Sequence, residues 1–146
     1  MSTEKPVQVA CLCGAVKISA TQVGTDLQAC HCQQCQTWTG GGPYICIRVK
    51  DAQIDGAETL RSYQASSHGE RAFCGTCGTP LYWRLQGRKV AFLPVGLFKD
   101  QSDMEMREEI FVDHRPGWLP AWPNATEHTE AEMQAQLADF LEGDAR

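Results

Sequence analysis

Cys30-His31-Cys32-Gln33-Gln34-Cys35 places three thiols within six consecutive residues. Two further knuckles lie on either side of it in the chain: Cys11-Leu12-Cys13-Gly14 and Cys74-Gly75-Thr76-Cys77-Gly78. Cysteines so close in sequence aim their sulfurs at a common point, which suits a metal ion better than a set of disulfides. The opening Met-Ser-Thr-Glu-Lys-Pro is polar and lacks the apolar stretch of a secretory signal. The expected location is therefore cytoplasmic, where thiols stay reduced.

Thiolates at these spacings select zinc or an iron–sulfur cluster. A structural zinc site closes on four protein ligands, whereas a catalytic one keeps three and leaves a position for water or substrate. The seven grouped sulfurs divide as four and three. Spacing alone permits Cys32 and Cys35 to join Cys74 and Cys77 in a two-knuckle ribbon. It equally permits Cys11 and Cys13 to join Cys74 and Cys77, leaving Cys30, Cys32 and Cys35 as a tripod. The second grouping is preferred, because the first strands Cys30 and leaves Cys11 and Cys13 short of partners. The eighth cysteine, Cys46, stands alone between Ile45 and Ile47 and reads as a small, half-buried apolar residue. His31 lies inside the tripod, so its ring is expected to turn away from an ion there and either support the ligands or simply pack.

The whole chain, 146 residues with net charge −5, 42% hydrophobic and 21% charged, suits one domain (1–146, core about 7–122). The acidic balance and the lack of a basic cluster argue against a nucleic-acid partner. A membrane partner is not expected either: the longest mostly apolar run, 90–98, contains a Pro and a Gly and falls short of the roughly 20 residues a span needs. Strands are predicted at 7–10, 15–20, 43–49, 59–63, 80–85, 89–95 and 108–112, with turns at Cys13-Gly14, Gly40-Gly41-Gly42, His68-Gly69 and Gln86-Gly87. A C-terminal helix is predicted over about 129–142, opened by a Thr129/Glu132 capping box and stopped at Gly143. Its stripe of Met133, Leu137, Phe140 and Leu141 is expected to pack on the sheet.

Between Asp113 and Pro123, three prolines and two tryptophans predict an ordered loop held by aromatic contacts. Glu70-Arg71 and Arg107-Glu108-Glu109 read as solvated strand edges. Arg48, Arg61 and Arg84 read as exposed salt-bridge partners, with carboxylate binding as their rarer use. His68, His114 and His128 read as surface residues, His114 being the best placed for a pocket. Gly40-Gly41-Gly42 lacks the Lys and the helix of a phosphate loop.

Cys11 to Val16, Cys30 to Cys35 with Thr39-Gly40 after it, Phe73 to Leu81 and Arg115-Pro116-Gly117-Trp118-Leu119 together resemble the glutathione-dependent formaldehyde-activating enzyme family, which includes the centromere protein V group. The resemblance implies a mainly β fold of the β-tent type, small antiparallel sheets around a structural zinc. It implies two Zn²⁺ per chain: a structural one on Cys11, Cys13, Cys74 and Cys77, and a second, more labile one on Cys30, Cys32 and Cys35. It further implies a carbon–sulfur lyase activity of the S-hydroxymethylglutathione synthase kind, with glutathione as the small-molecule thiol held at the three-cysteine zinc and formaldehyde, or a related aldehyde, as its partner. The family's late strand commonly has a His ahead of its Ile, where this chain has Glu109-Ile110. Two other functions fit the cysteines: a non-catalytic zinc-binding module, which needs a fourth protein ligand on the tripod such as Cys46 or a histidine, and a redox or zinc-buffering protein.

Overall fold

The computed structural model describes residues 4–144 and is built mainly of strands, with a helix at the C-terminal end. The chain falls into two compact units, one running to Leu27 and resuming over Cys46–Glu105, the other comprising Gln28–Ile45 and the chain from Met106 onward.

The first unit holds β1 (Lys5–Ala10), β2 (Lys17–Gln22), most of β4 (Tyr44–Asp55), β5 (Leu60–Tyr63), β6 (Gly69–Cys74), β7 (Pro80–Leu85) and β8 (Val90–Pro94). They pair antiparallel in the order β1-β2-β4-β8-β7-β6-β5. Period-two alternation explains β2: Ile18, Ala20 and Gln22 point inward while Lys17 and Ser19 are exposed. The inward faces meet in a core of Val9, Val16, Ile18, Ile47, Val49, Leu81, Leu93 and Phe98, which also takes in Cys11 and Cys74. Each such aliphatic side chain contributes about 1.5–3 kcal/mol on full burial.

The second unit holds most of β3 (Asp26–Cys30) beside most of β9 (Glu105–Ile110), with β10 (Thr126–His128) parallel to β9. It also contains both helices, α1 (Gln33–Thr39) and α2 (Glu130–Asp144). In α1 the Sγ of Cys32 accepts the Cys35 amide as an N-cap, and Gly40 ends the helix at φ 88°, where a side chain would be strained. In α2 the capping box forms as predicted: Thr129 Oγ1 accepts the Glu132 amide at 3.2 Å and Glu132 Oε1 accepts the Thr129 amide at 2.8 Å.

Five of the seven predicted strands lie within a residue or two of observed ones; the 43–49 strand continues to Asp55, and the 108–112 strand instead runs earlier, as Glu105–Ile110. β3, β6, β10 and α1 were not predicted. β3 and β6 lack a clean apolar alternation, and the tripod's own cysteines obscure α1. The C-terminal helix runs through Gly143, so that glycine does not stop it. Its stripe is only partly covered: Met133 and Leu137 are half-buried, but Phe140 and Leu141 are exposed. In the loop after Asp113, Trp118 is 72% exposed, so aromatic packing does not hold that part of it. Two supposed solvated strand edges are buried at one residue each, Arg71 and Glu109.

Candidate metal centres

In the first unit, the ends of β1 and β6 and the turns after them bring four thiols together. The sulfurs of Cys11, Cys13, Cys74 and Cys77 all lie within 4.8 Å of one another. Cys11 Sγ is 3.7 Å from Cys13 Sγ, and Cys13 Sγ is 3.8 Å from Cys74 Sγ. Backbone amides point at the sulfurs: Val16 N–H at Cys11 Sγ, 3.3 Å, and Thr76 N–H at Cys74 Sγ, 3.4 Å. Thr79 ties the two knuckles together, its Oγ1 accepting the Leu12 amide at 3.1 Å and standing 3.1 Å from Cys77 Sγ. Gly14 and Gly78, at φ 80° and 79°, supply the left-handed turns that let each knuckle fold back.

In the second unit, Cys30 ends β3, Cys32 caps α1 and Cys35 lies in its first turn. Their sulfurs also lie within 4.8 Å of one another. Cys30 and Cys35 are buried and Cys32 is half-buried. Among the described residues no histidine, carboxylate or further cysteine joins either group. Cys46 is buried and belongs to neither, and none of the eight cysteines is in a disulfide.

The residue between two tripod cysteines has a role that its sequence position did not specify. His31 is fully buried, and its Nε2 lies 2.8 Å from Glu109 Oε1, also fully buried. Glu109 further accepts Arg115 Nη2 at 3.1 Å and the Trp122 amide at 2.9 Å, and Arg115 reaches Glu127 at 2.8 Å. The His31 backbone is fixed as well: its amide donates to Ile110 O at 3.0 Å, and its carbonyl accepts Gln36 Nε2 at 2.7 Å. Burial alone would push the Glu109 carboxyl up. The His31 ring, the Trp122 amide and the Arg115 guanidinium outweigh it and hold the group below the usual carboxylate range. His31 Nδ1 is buried and finds no partner among the described residues. Glu109 was missed because a charged triplet on a strand ordinarily faces water; its place beside Ile110 was the only signal. His114 pairs with Glu130 at 2.7 Å on the surface, and Arg84 pairs with Glu70 at 2.8 Å, the commoner use of each.

The donor chemistry of both groups fits a thiophilic cation. Hydrogen bonds from the Thr79 hydroxyl and from the Thr79 and Cys13 amides bring Cys77 down to about 5. The Ala15 amide also lowers Cys13, but desolvation and the sulfurs of Cys11, Cys77 and Cys74 outweigh it and raise that thiol to about 11. In the tripod, the sulfurs of Cys32 and Cys35, together with burial, push Cys30 up. Thiols packed this closely cannot all ionise unaided, and a divalent cation at their centre reverses that penalty. Both cysteine groups could therefore bind a metal ion.

The fold and its two sulfur groups define a small β-rich protein with two cysteine groups that could each hold a metal ion. The chain belongs to the glutathione-dependent formaldehyde-activating enzyme family, whose sequence profile matches residues 6–114. An uncharacterised lyase of Schizosaccharomyces pombe is 30% identical over 108 residues, covering 73% of this chain and 78% of that protein. A Halomonas elongata protein, provisionally named a glutathione-dependent formaldehyde-activating enzyme, is 29% identical over 121 residues, covering 75% of this chain and 76% of its own. In fold, a Rhodobacter sphaeroides protein of known crystal structure is similar with a TM-score of 0.55 at 24% identity, over 64% of this chain and 88% of that one.

Proposed function

We propose that the protein joins a small thiol, glutathione, to formaldehyde or a related small aldehyde and runs the same step in reverse, as a carbon–sulfur lyase. The whole chain is read as one domain of this family. Cys11, Cys13, Cys74 and Cys77 would hold a structural zinc, and Cys30, Cys32 and Cys35 a second one. The observation that carries the reading is that three sulfurs converge in the second unit with no fourth donor among the described residues. Zinc takes four ligands, so three protein thiolates leave one position for a substrate.

When bound, zinc supplies Lewis acidity that keeps a coordinated thiol in its nucleophilic thiolate form. The chain's own residues supply position. Glu109, pinned by Arg115 and the Trp122 amide, holds the His31 ring, and His31 is covalently bracketed by Cys30 and Cys32. That anchoring limits how far two of the three sulfurs can wander, which preserves orientation, a large share of any rate enhancement. Cys32, the half-exposed member, marks the side from which a thiol would arrive. In the reaction the sulfur lone pair forms the C–S bond while the aldehyde π bond breaks. The proton lost by the thiol ends on the former carbonyl oxygen, giving the hydroxymethyl thioether.

The test is exchange NMR with ¹³C-formaldehyde and glutathione on zinc-loaded protein. We expect adduct exchange above the spontaneous rate and proportional to protein. Cys32→Ala should abolish the excess rate and lower bound zinc from two to one per chain. A rate equal to the buffer rate, with both zincs present, would overturn the proposal.

A further inference from the structure

The chain carries two Cys-x-x-Cys pairs, Cys32–Cys35 and Cys74–Cys77. In each, the amide of the second cysteine points at the sulfur of the first: Cys35 N–H at Cys32 Sγ, 3.3 Å, and Cys77 N–H at Cys74 Sγ, 3.5 Å. The pairs differ in which sulfur solvent can reach. Cys32 is half-buried and its partner Cys35 is 4% exposed, whereas Cys74 is 1% exposed and its partner Cys77 half-buried. An incoming molecule therefore meets the first sulfur of the tripod pair and only the second sulfur of the knuckle pair.

An accessible sulfur backed by a buried one is the arrangement thiol–disulfide exchange needs. The first attacks the incoming disulfide, and the second, shielded from it, displaces the mixed disulfide that results. Cys32 Sγ and Cys35 Sγ lie within 4.8 Å of each other, and a disulfide closes them to about 2.05 Å. Residues three apart across the first turn of a helix are near neighbours, so side-chain rotation covers the difference. The backbone that carries them is fixed by its own hydrogen bonds. The His31 amide and carbonyl are tied to Ile110 and Gln36, and the Cys35 carbonyl accepts Thr39 Oγ1 at 3.0 Å. None of these bonds needs an ion on the sulfurs. The exposed Cys13 differs: it belongs to a set of four, and one ion would engage all of its sulfurs.

We propose that the tripod has a second activity, exchange with a low-molecular-weight disulfide, in which Cys32 attacks and Cys35 resolves, and that zinc and this reaction exclude each other at the same sulfurs. The proposal rests on the reading of Cys30, Cys32 and Cys35 as the second metal site, and not on the aldehyde step. With glutathione disulfide, Cys32 Sγ bonds to one glutathione sulfur, the S–S bond breaks and the first glutathione leaves. Cys35 Sγ then bonds to Cys32 Sγ and the second glutathione leaves. The two cysteine thiols are oxidised, one glutathione disulfide is reduced to two thiols, and the two protons lost by the cysteines end on them. Only Cys30 then remains as a thiol, too few for the ion. By linkage, an ion on the three sulfurs opposes the oxidation to the same degree.

The experiment treats the zinc-loaded full chain with glutathione disulfide and a chromophoric chelator, following released zinc by absorbance and the cysteines by peptide mass spectrometry. Zinc release should stop at one per chain, in step with a Cys32–Cys35 disulfide, while Cys11, Cys13, Cys74 and Cys77 stay reduced. Cys35→Ser should halt with glutathione on Cys32. Cys30→Ser, which lacks one ligand but keeps both exchanging sulfurs, should form the disulfide with no chelator present. Excess free zinc, without chelator, should slow the wild type about tenfold or more. Glutathione found first on Cys13 or Cys77 would overturn the proposal. So would a Cys32–Cys35 pair that stays reduced after its zinc has gone, or a rate indifferent to free zinc. Adduct exchange with formaldehyde is read on a separate sample without disulfide, so failure here is distinct from failure of the aldehyde chemistry.

Discussion

The two sulfur groups are built into their units by opposite means. Cys11 and Cys74 belong to the hydrophobic core of the first unit and share it with Val9, Val16, Leu81 and Leu93. Among the described residues, none of the second unit belongs to that cluster. There the tripod is backed by a buried His31–Glu109 pair and by the short helix it caps itself. An ion in the four-sulfur group would cross-link two side chains that already belong to the core. An ion in the three-sulfur group would rest on a polar scaffold that can persist without it. A metal with two of its four ligands rooted in the core becomes folding energy, while one held on a prebuilt polar frame can come and go.

The sharpest way to break this contrast is to remove one ligand from each group. Structural zinc in small domains contributes about 10 kcal/mol or more of apparent stability. Cys74→Ser should therefore yield insoluble protein or a thermal midpoint lowered by tens of degrees. Cys32→Ala should fold, keep its far-UV circular dichroism and lose one zinc. Metal counting by mass spectrometry together with thermal melts decides it. Equal damage from both variants would mean the groups do not differ in the way their surroundings suggest.

A smaller effect addresses the scaffold itself. Removing one member of a buried ion pair costs about 3–5 kcal/mol, because its partner is left charged or unsatisfied in the interior. Glu109→Ala orphans His31 Nε2 and the Trp122 amide and deprives Arg115 of one of its two carboxylates. We expect a loss of that size in urea denaturation and zinc release from the tripod to a chelator at least about tenfold faster. Glu109→Gln keeps an acceptor for Trp122 and should recover part of both. The pH dependence has a definite sign. The folded Glu109 carboxyl sits below its unfolded value, so its contribution is fully present above about pH 4.3. It is lost as pH falls through the lower folded value. The stability gap between wild type and Glu109→Gln should therefore narrow in acid, measured by denaturation from pH 7 down to pH 3.

How much of this was legible in the sequence follows the same division. The four-sulfur group was readable because each of its knuckles announces itself through a Cys pair and a following glycine. Gly14 and Gly78 do adopt the left-handed turns those knuckles need. The tripod was readable as three cysteines, but not what stands behind it. Glu109 lies in a run of charges, and only the fold brings it across 78 positions to His31. Long-range polar pairing leaves no periodic trace, unlike the apolar alternation that revealed β7 to the residue. β6 was hidden for a related reason: Glu70 and Arg71 read as solvent-facing, yet Arg71 is buried. The β-bulge that Asp51 carries in β4, at φ 56°, was equally silent, because Asp tolerates a left-handed backbone without the glycine that would have flagged it.

The smallest expected effect bears on whether the four-sulfur group depends only on its sulfurs. The Thr79 hydroxyl both accepts the Leu12 amide of one knuckle and reaches Cys77 Sγ of the other. Thr79→Val keeps the shape and the β-branch and removes only that oxygen. The Leu12 amide lies on an exposed turn, where water can replace the lost acceptor, so the cost should stay near 1 kcal/mol. At about 2–4 °C per kcal/mol for a chain of this size, the melting shift is only a few degrees. Zinc should stay at two per chain, with release from the four-sulfur group measurably faster under strong chelation and release from the tripod unchanged. If Thr79→Val instead emptied the four-sulfur group, the knuckles would owe their approach to one hydroxyl rather than to the core around Cys11 and Cys74. The distinction between a metal locked into packing and a metal resting on polar support would then no longer separate the two units.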